Sequence, residues 1–200
     1  GIARGKVTEE LAAATLTRLH QTNLAQAAPG ADILIEAIPE RLDLKQRVFC
    51  DAAEHASPEC IFATNTSSLS ITSIAEVIPQ PERVIGTHFF NPVHIMSLLE
   101  VVVGKQTSDA VLERVRGFGD QLGKDVIVVQ DMPGFATSRL GVCLGMEAIR
   151  MVEQGVASPA DIDKAMVLGY RHPIGPLKLT DLVGLDVRMA IGTYLASELN

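Results

Sequence analysis

Two hundred residues, 47% of them apolar, are enough to bury a substantial core in one large domain or one and a half ordinary ones. A net charge of −7 argues against nucleic acid as a general partner, because phosphate binding needs clustered Lys and Arg that this chain lacks. No apolar run reaches the roughly 18 residues of a membrane span, and the opening GIARGKVTEE lacks the apolar run of a secretory signal. A cytoplasmic or organelle-matrix protein with no membrane partner is therefore expected. Cys50, Cys60 and Cys143 are odd in number and show no C-x-x-C or other metal spacing, so they read as reduced packing residues, and no metal site is expected.

From residue 1 to about 130 the pattern alternates short β-like runs with helical segments, which predicts an open α/β sheet. DILIEAI (32–38) suits a buried strand, and Leu42, Leu44, Val48, Phe49 and Ala52 follow at helical spacing. IFAT (61–64) is a second strand, broken by the polar turn Asn65, Thr66, Ser67 and Ser68, after which Leu69, Ile71, Ile74, Ala75 and Ile78 suggest a short helix. RVIGTHFF (83–90) is a third, stopped by Asn91-Pro92, since proline lacks a donor and restricts its predecessor to extended geometry. LLEVVVG (98–104) is a fourth strand. Ser108 is placed to cap a helix through about Leu122, and DVIVVQD (125–131) is the fifth strand.

After Met132-Pro133-Gly134 the pattern turns helical, from Ala136 to about Gly155. Ser158, Pro159 and Asp161 mark a second helix start, and a third helix is expected from about Pro176 to the end. The reading is thus an α/β unit over 1–132 and a helical unit over 133–200. The many Leu, Met and Val positions of the second unit leave more than one apolar face, which a symmetric homodimer would cover.

His88 stands at a strand end and Glu100 near the start of the next strand. If the two strands fold back on each other, the carboxylate can fix the imidazole tautomer and stabilise the imidazolium, a general-base arrangement. Equally, such a pair is often a hydrogen-bonded histidine and a rim acid. Ser67 lies in a β-to-helix turn where open α/β sheets meet ligands, although Asn65, Thr66 and Ser67 also suit a plain cap and turn. Glu36, Glu40 and Lys45 follow the first strand, where they either meet ribose and phosphate or form a solvated rim. There is no G-x-G-x-x-G and no P-loop.

ATNTSSLSITSIA (63–75), GTHFFNPVHIMSLLEVVVG (86–104), DMPGFATSRL (131–140) and HPIGPLKLTDLVGLDV (172–187) together resemble the L-3-hydroxyacyl-CoA dehydrogenase family, including the 3-hydroxybutyryl-CoA dehydrogenases. The likeness extends over nearly the whole chain. It implies an α/β Rossmann-like domain holding NAD, followed by an all-α dimerisation domain that helps enclose an acyl-CoA. The activity implied is NAD-dependent oxidation of a (S)-3-hydroxyacyl-CoA to a 3-oxoacyl-CoA, as in the β-oxidation of fatty acids. By the same resemblance His88 is the base, Glu100 its orienting acid, Ser67 a contact of substrate and nicotinamide, and Asn91 the active-site asparagine. Glu40 and Lys45 match the acid and the lysine near the cofactor, and Ser138 stands near the substrate where the family commonly has asparagine.

The family opens with a βαβ unit carrying G-x-G-x-x-G, absent from this sequence, so the N-terminal βαβ unit is expected to be missing and the helical domain shortened. Two other readings remain beside the implied one: a dehydrogenase of a non-CoA hydroxy acid, and a non-catalytic structural relative or fragment.

Overall fold

The computed structural model describes residues 1–199. Two short helices come first, α1 (Glu9–Leu16) capped by Thr8 and α2 (Leu24–Ala27) capped by Asn23. The β/α alternation expected from residue 1 is not found there: no strand precedes β1 (Ile33–Glu36), and α1 buries none of its residues. After β1 come α3 (Leu42–Ala53), β2 (Ile61–Thr64), α4 (Ile71–Ala75), β3 (Val84–Phe89), β4 (Leu98–Val103), α5 (Asp109–Gln121) and β5 (Asp125–Gln130).

The strands form one five-stranded sheet in the order β1-β2-β3-β4-β5. β1, β2 and β3 run parallel because helix-bearing connections lie between them. Only residues 90–97 join β3 to β4, too few for a parallel crossover, so β4 turns back antiparallel and β5 then pairs parallel to it. In the β3–β4 hairpin Gly86 faces Val102, Thr87 faces Val101 and His88 faces Glu100.

Alternation of side chains along β2 gives the sheet its two cores. Phe62 points to one face, where it meets Phe49, Ala52, Ile71, Ile74, Val84 and Val102 under α3 and α4. Ile61 and Ala63 point to the other, with Ile85, Leu99, Val101, Val111 and Val115 beneath α5. Cys60 is buried and Cys50 partly so, but Cys143 is exposed, contrary to its expected packing role.

Beyond residue 132 the chain is helical: α6 (Thr137–Glu153), α7 (Pro159–Gly169), α8 (Pro176–Val183) and α9 (Leu185–Glu198). The single helix expected from Pro176 onward is two, because Gly184 adopts φ 103, a conformation that no α-helix continues through. α6 packs on α8 and α9, and Asp163 of α7 accepts the N–H groups of Leu177 and Lys178 at 2.8 and 3.0 Å, capping α8. Among the described residues no helix is long and apolar enough to cross a membrane.

The crossing between the two halves is held on both sides. Asp131 accepts the Ile71 and Thr72 N–H groups at 2.9 and 2.8 Å and both the Ser70 and Thr72 hydroxyls, so it caps α4 from the end of β5. Gly134 and Phe135 then take φ 71 and 51, which reverses the chain and aims the start of α6 at the sheet. A Cβ at Gly134 would lie 2.7 Å from Leu195 Cδ2, in addition to the left-handed backbone. Gly134→Ala is expected to cost about 1–2 kcal/mol from backbone conformation alone, before that clash. Urea unfolding should show a lower midpoint at unchanged slope.

Candidate functional site

The β3–β4 register sets His88 and Glu100 directly opposite each other, and their side chains meet with Nδ1 2.9 Å from Glu100 Oε2. Glu100 is wholly buried and His88 is 8% exposed. An ionised carboxylate only accepts, so Nδ1 carries a proton, and in the neutral imidazole the lone pair then falls on Nε2. The imidazole also rests against Phe90, with ring centroids 4.3 Å apart.

Glu100 has further partners. Oε1 accepts the N–H groups of Ala136 and Thr137 at 3.0 and 3.1 Å, and Oε2 accepts the Thr137 hydroxyl at 2.8 Å. These donors belong to the start of α6, whose unpaired N–H groups and positive dipole end favour a carboxylate. Burial pushes the Glu100 carboxyl up, but the bonds from His88, from the Thr137 side chain and from the two backbone groups outweigh it and hold it below the ordinary glutamate value.

Ser67 is presented by the turn after β2. Glu40 Oε1 accepts the Thr66 hydroxyl at 2.6 Å, the Ser67 N–H at 2.9 Å, the Ser67 hydroxyl at 3.2 Å and the Ser68 N–H at 3.2 Å. Burial raises the Glu40 carboxyl, yet the Thr66 bond and the charge of Lys45 bring it below the ordinary range. Asn65 Oδ1 accepts the Phe89 N–H at 2.9 Å, tying this turn to the residue after His88.

The remaining expected residues fall as follows. Asn91 is exposed just past β3 and its side chain makes no hydrogen bond among the described residues. Ser138 is half-buried in the first turn of α6, next to Thr137, which binds Glu100. Lys45 is fully buried, and its ammonium faces Glu36 Oε1 at 2.8 Å and Glu40 Oε2 at 3.4 Å, turned toward protein and away from solvent. A groove of about 620 Å3 beside β1, lined by Asp32, Ile35, Arg114 and Phe118 among others, contains none of these residues.

Four contributors escaped the sequence reading: Thr137 and Ala136, which clamp Glu100; Asn65 as a link rather than turn polarity; and Asp131. The legible signal for Thr137 was its place just after Gly134 at the start of a helix, where acids are drawn to free N–H groups.

Because the folded Glu100 carboxyl sits below the ordinary value of 4.5, its contribution to stability is fully present above that pH and is lost as pH falls through the folded value. Glu100→Gln should therefore cost about 1.5–3 kcal/mol near neutrality. In urea unfolding at stepped pH, the gap between the variant and the parent chain should close below the ordinary glutamate value.

Comparison with known proteins bears on this arrangement. Residues 1–132 match the family model described as 3-hydroxyacyl-CoA dehydrogenase, NAD binding domain, and residues 134–200 match the C-terminal domain of the same family. The chain is 42% identical over 196 residues to a probable 3-hydroxybutyryl-CoA dehydrogenase of Bacillus subtilis, covering 98% of this chain and 68% of that protein. It is 40% identical to the 3-hydroxybutyryl-CoA dehydrogenase of Clostridioides difficile, covering 98% of this chain and 70% of the relative. The crystal structure of (S)-3-hydroxybutyryl-CoA dehydrogenase from Ralstonia eutropha superimposes with a TM-score of 0.93 at 41% identity, over 98% of this chain and 70% of that one. A diketoreductase structure acting on dicarbonyl compounds gives 0.86 at 28% identity, over 98% of this chain and 75% of its own.

Proposed function

The chain belongs to the 3-hydroxyacyl-CoA dehydrogenase family, and from that premise we propose that it oxidises the 3-hydroxyl of an (S)-3-hydroxyacyl-CoA with His88 as the general base. The observation that carries this reading is the saturation of Glu100. Four donors, one of them His88 Nδ1–H, favour the ionised carboxylate and set its orientation, which selects the imidazole tautomer whose Nε2 accepts a proton.

NAD is the cofactor of the family's N-terminal domain, and the carboxyl ends of β1 and β2 suit it: they open into the turns carrying Glu40 and Ser67, where an open parallel sheet receives a dinucleotide. Bound there, NAD supplies the acceptor for the hydride that leaves C3 of the substrate. Glu40 Oε1 is taken up by the turn, which leaves Oε2, on a side chain 36% exposed, to accept from a ribose hydroxyl, while Lys45 serves this end of the site through Glu40.

The chain's own residues then divide the work. His88 Nε2 takes the proton of the 3-hydroxyl, and the imidazolium so formed is stabilised by Glu100. Ser67 and Asn91 orient the substrate oxygen from the two turns that Asn65 ties together. Ser138, on the first turn of α6, donates one hydrogen bond to the acyl portion. In the reverse direction His88 protonates the 3-oxo group as hydride arrives.

We place the division of labour at the crossing, with an NAD-binding domain over 1–132 and a helical domain over 133–200. The exposed Leu140, Leu144, Leu182, Leu185 and Met189 are the face on which a second copy would dimerise. The likeness to the diketoreductase favours a second reading, in which the oxygen-bearing substrate carries no CoA. Its lower identity makes it the weaker of the two.

With acetoacetyl-CoA and NADH, His88→Gln should lower kcat by about 100- to 10,000-fold while leaving the fold and the KM for NADH nearly unchanged. Near-normal turnover by the folded variant would remove His88 from the mechanism. Turnover on free dicarbonyl compounds but not on acetoacetyl-CoA would select the second reading. Ser138→Ala, which removes one hydrogen bond, should cost about 2- to 12-fold in kcat/KM for the CoA substrate.

A further inference from the structure

Two buried charges stand behind the Ser67 turn and take no part in the proton transfer. Glu36, at the end of β1, and Lys45, in the first turns of α3, both have side chains with no solvent exposure. Burying ions is costly unless each finds several partners, and here each does. Lys45 Nζ lies 2.8 and 3.0 Å from the two oxygens of Glu36, 3.3 Å from the Ile38 carbonyl and 3.4 Å from Glu40 Oε2. Glu36 also accepts the Ile38 N–H at 2.6 Å and the Thr64 hydroxyl at 2.7 Å. An ammonium has three protons, and these neighbours account for all of them, leaving none for a ligand.

The geometry grips one short stretch of backbone. Ile38 offers its N–H to Glu36 and its carbonyl to Lys45, and Glu40 follows two residues later. Glu36 is itself anchored in the sheet, where its register partner is Thr64, whose hydroxyl it holds. Of the three charges, Glu36 and Lys45 cancel, and the net negative charge is left at Glu40. Its carboxylate in turn gathers the Thr66 hydroxyl and the N–H groups of Ser67 and Ser68.

We propose that Glu36 is a positioning residue: with Lys45 it staples the 37–40 loop, and the Glu40 carboxylate so placed sets the turn that presents Ser67. The inference rests on the reading of Ser67 as a substrate contact given above. Without the Glu36–Lys45 pair the 37–40 loop loses its charge-assisted clamp, and Glu40 is no longer held against the Ser67 turn.

The test uses Glu36→Gln, which keeps shape and removes charge, and the double variant Glu36→Gln/Lys45→Met. The double variant leaves no unpaired buried charge, so it folds where the single one fails to. Amide hydrogen exchange at Ser67 and Ser68 is expected to accelerate in both, while exchange in the β2 and β3 core strands stays at the parent rate. With acetoacetyl-CoA, kcat/KM should fall on the order of 10- to 100-fold, carried by kcat, as for a misplacement of about 1 Å at the reacting centre. Parent-like protection of Ser67 and Ser68 in the folded double variant overturns the proposal. So does acceleration spread evenly over the core strands, which would mark a purely structural pair. Exchange is read without turnover, so a chain inactive on every hydroxyacyl-CoA would refute the proposed function while leaving this inference to be decided by its own measurement.

Discussion

One buried carboxylate organises the molecule. Glu100 lies on β4, between β3 and β5, with no exposure to water, a position whose desolvation cost must be met by hydrogen bonds. One donor comes from the neighbouring strand and three from the first turn of a helix in the other half. The same ion therefore orients an imidazole, caps a helix and joins an α/β layer to a helical layer. Each role constrains the others: a carboxylate held by α6 presents a fixed oxygen to His88, and a histidine opposite it on β3 confines that oxygen in return.

The strands were legible because they are short apolar runs bounded by turn residues, and each has its observed counterpart within a residue or two. The His88–Glu100 contact was half-legible. Paired positions in the β3–β4 hairpin add to a constant, so residues twelve apart meet because the turn is centred on residue 94. What periodicity lacked was the direction of β4, which follows from the shortness of the 90–97 connection. The long helix from Pro176 was misread because Leu182, Val183 and Leu185 continue an apolar pattern straight through Gly184. A pattern of side chains does not report a backbone that turns at a glycine.

Polar contacts between distant segments were the least legible. Glu40, Thr66 and Ser67 each had a plausible local role, and nothing in their spacing disclosed that one carboxylate would collect the whole turn across more than twenty residues. Lys45 was open to a ligand contact or a solvated rim, and it is instead buried, because Glu36 on the adjoining strand end neutralises it. Asp131 reads as the last residue of a strand and acts as the cap of a helix some sixty positions earlier. Such bonds are set by which strand ends lie side by side, a property of the assembled sheet.

The crossing between the halves has a mechanical consequence. Asp131 pins its near side to α4, and Ala136 and Thr137 pin its far side to Glu100, so the Met132-Pro133-Gly134-Phe135 stretch is a joint clamped at both ends. A clamped joint transmits torque where a slack one absorbs it. A swing of the helical layer away from the sheet would strain the α6 donors of Glu100, the carboxylate that also faces His88. Parting the two layers would strip Glu100 of three of its four donors and leave the His88–Glu100 pair of the sheet without the helix that braces it.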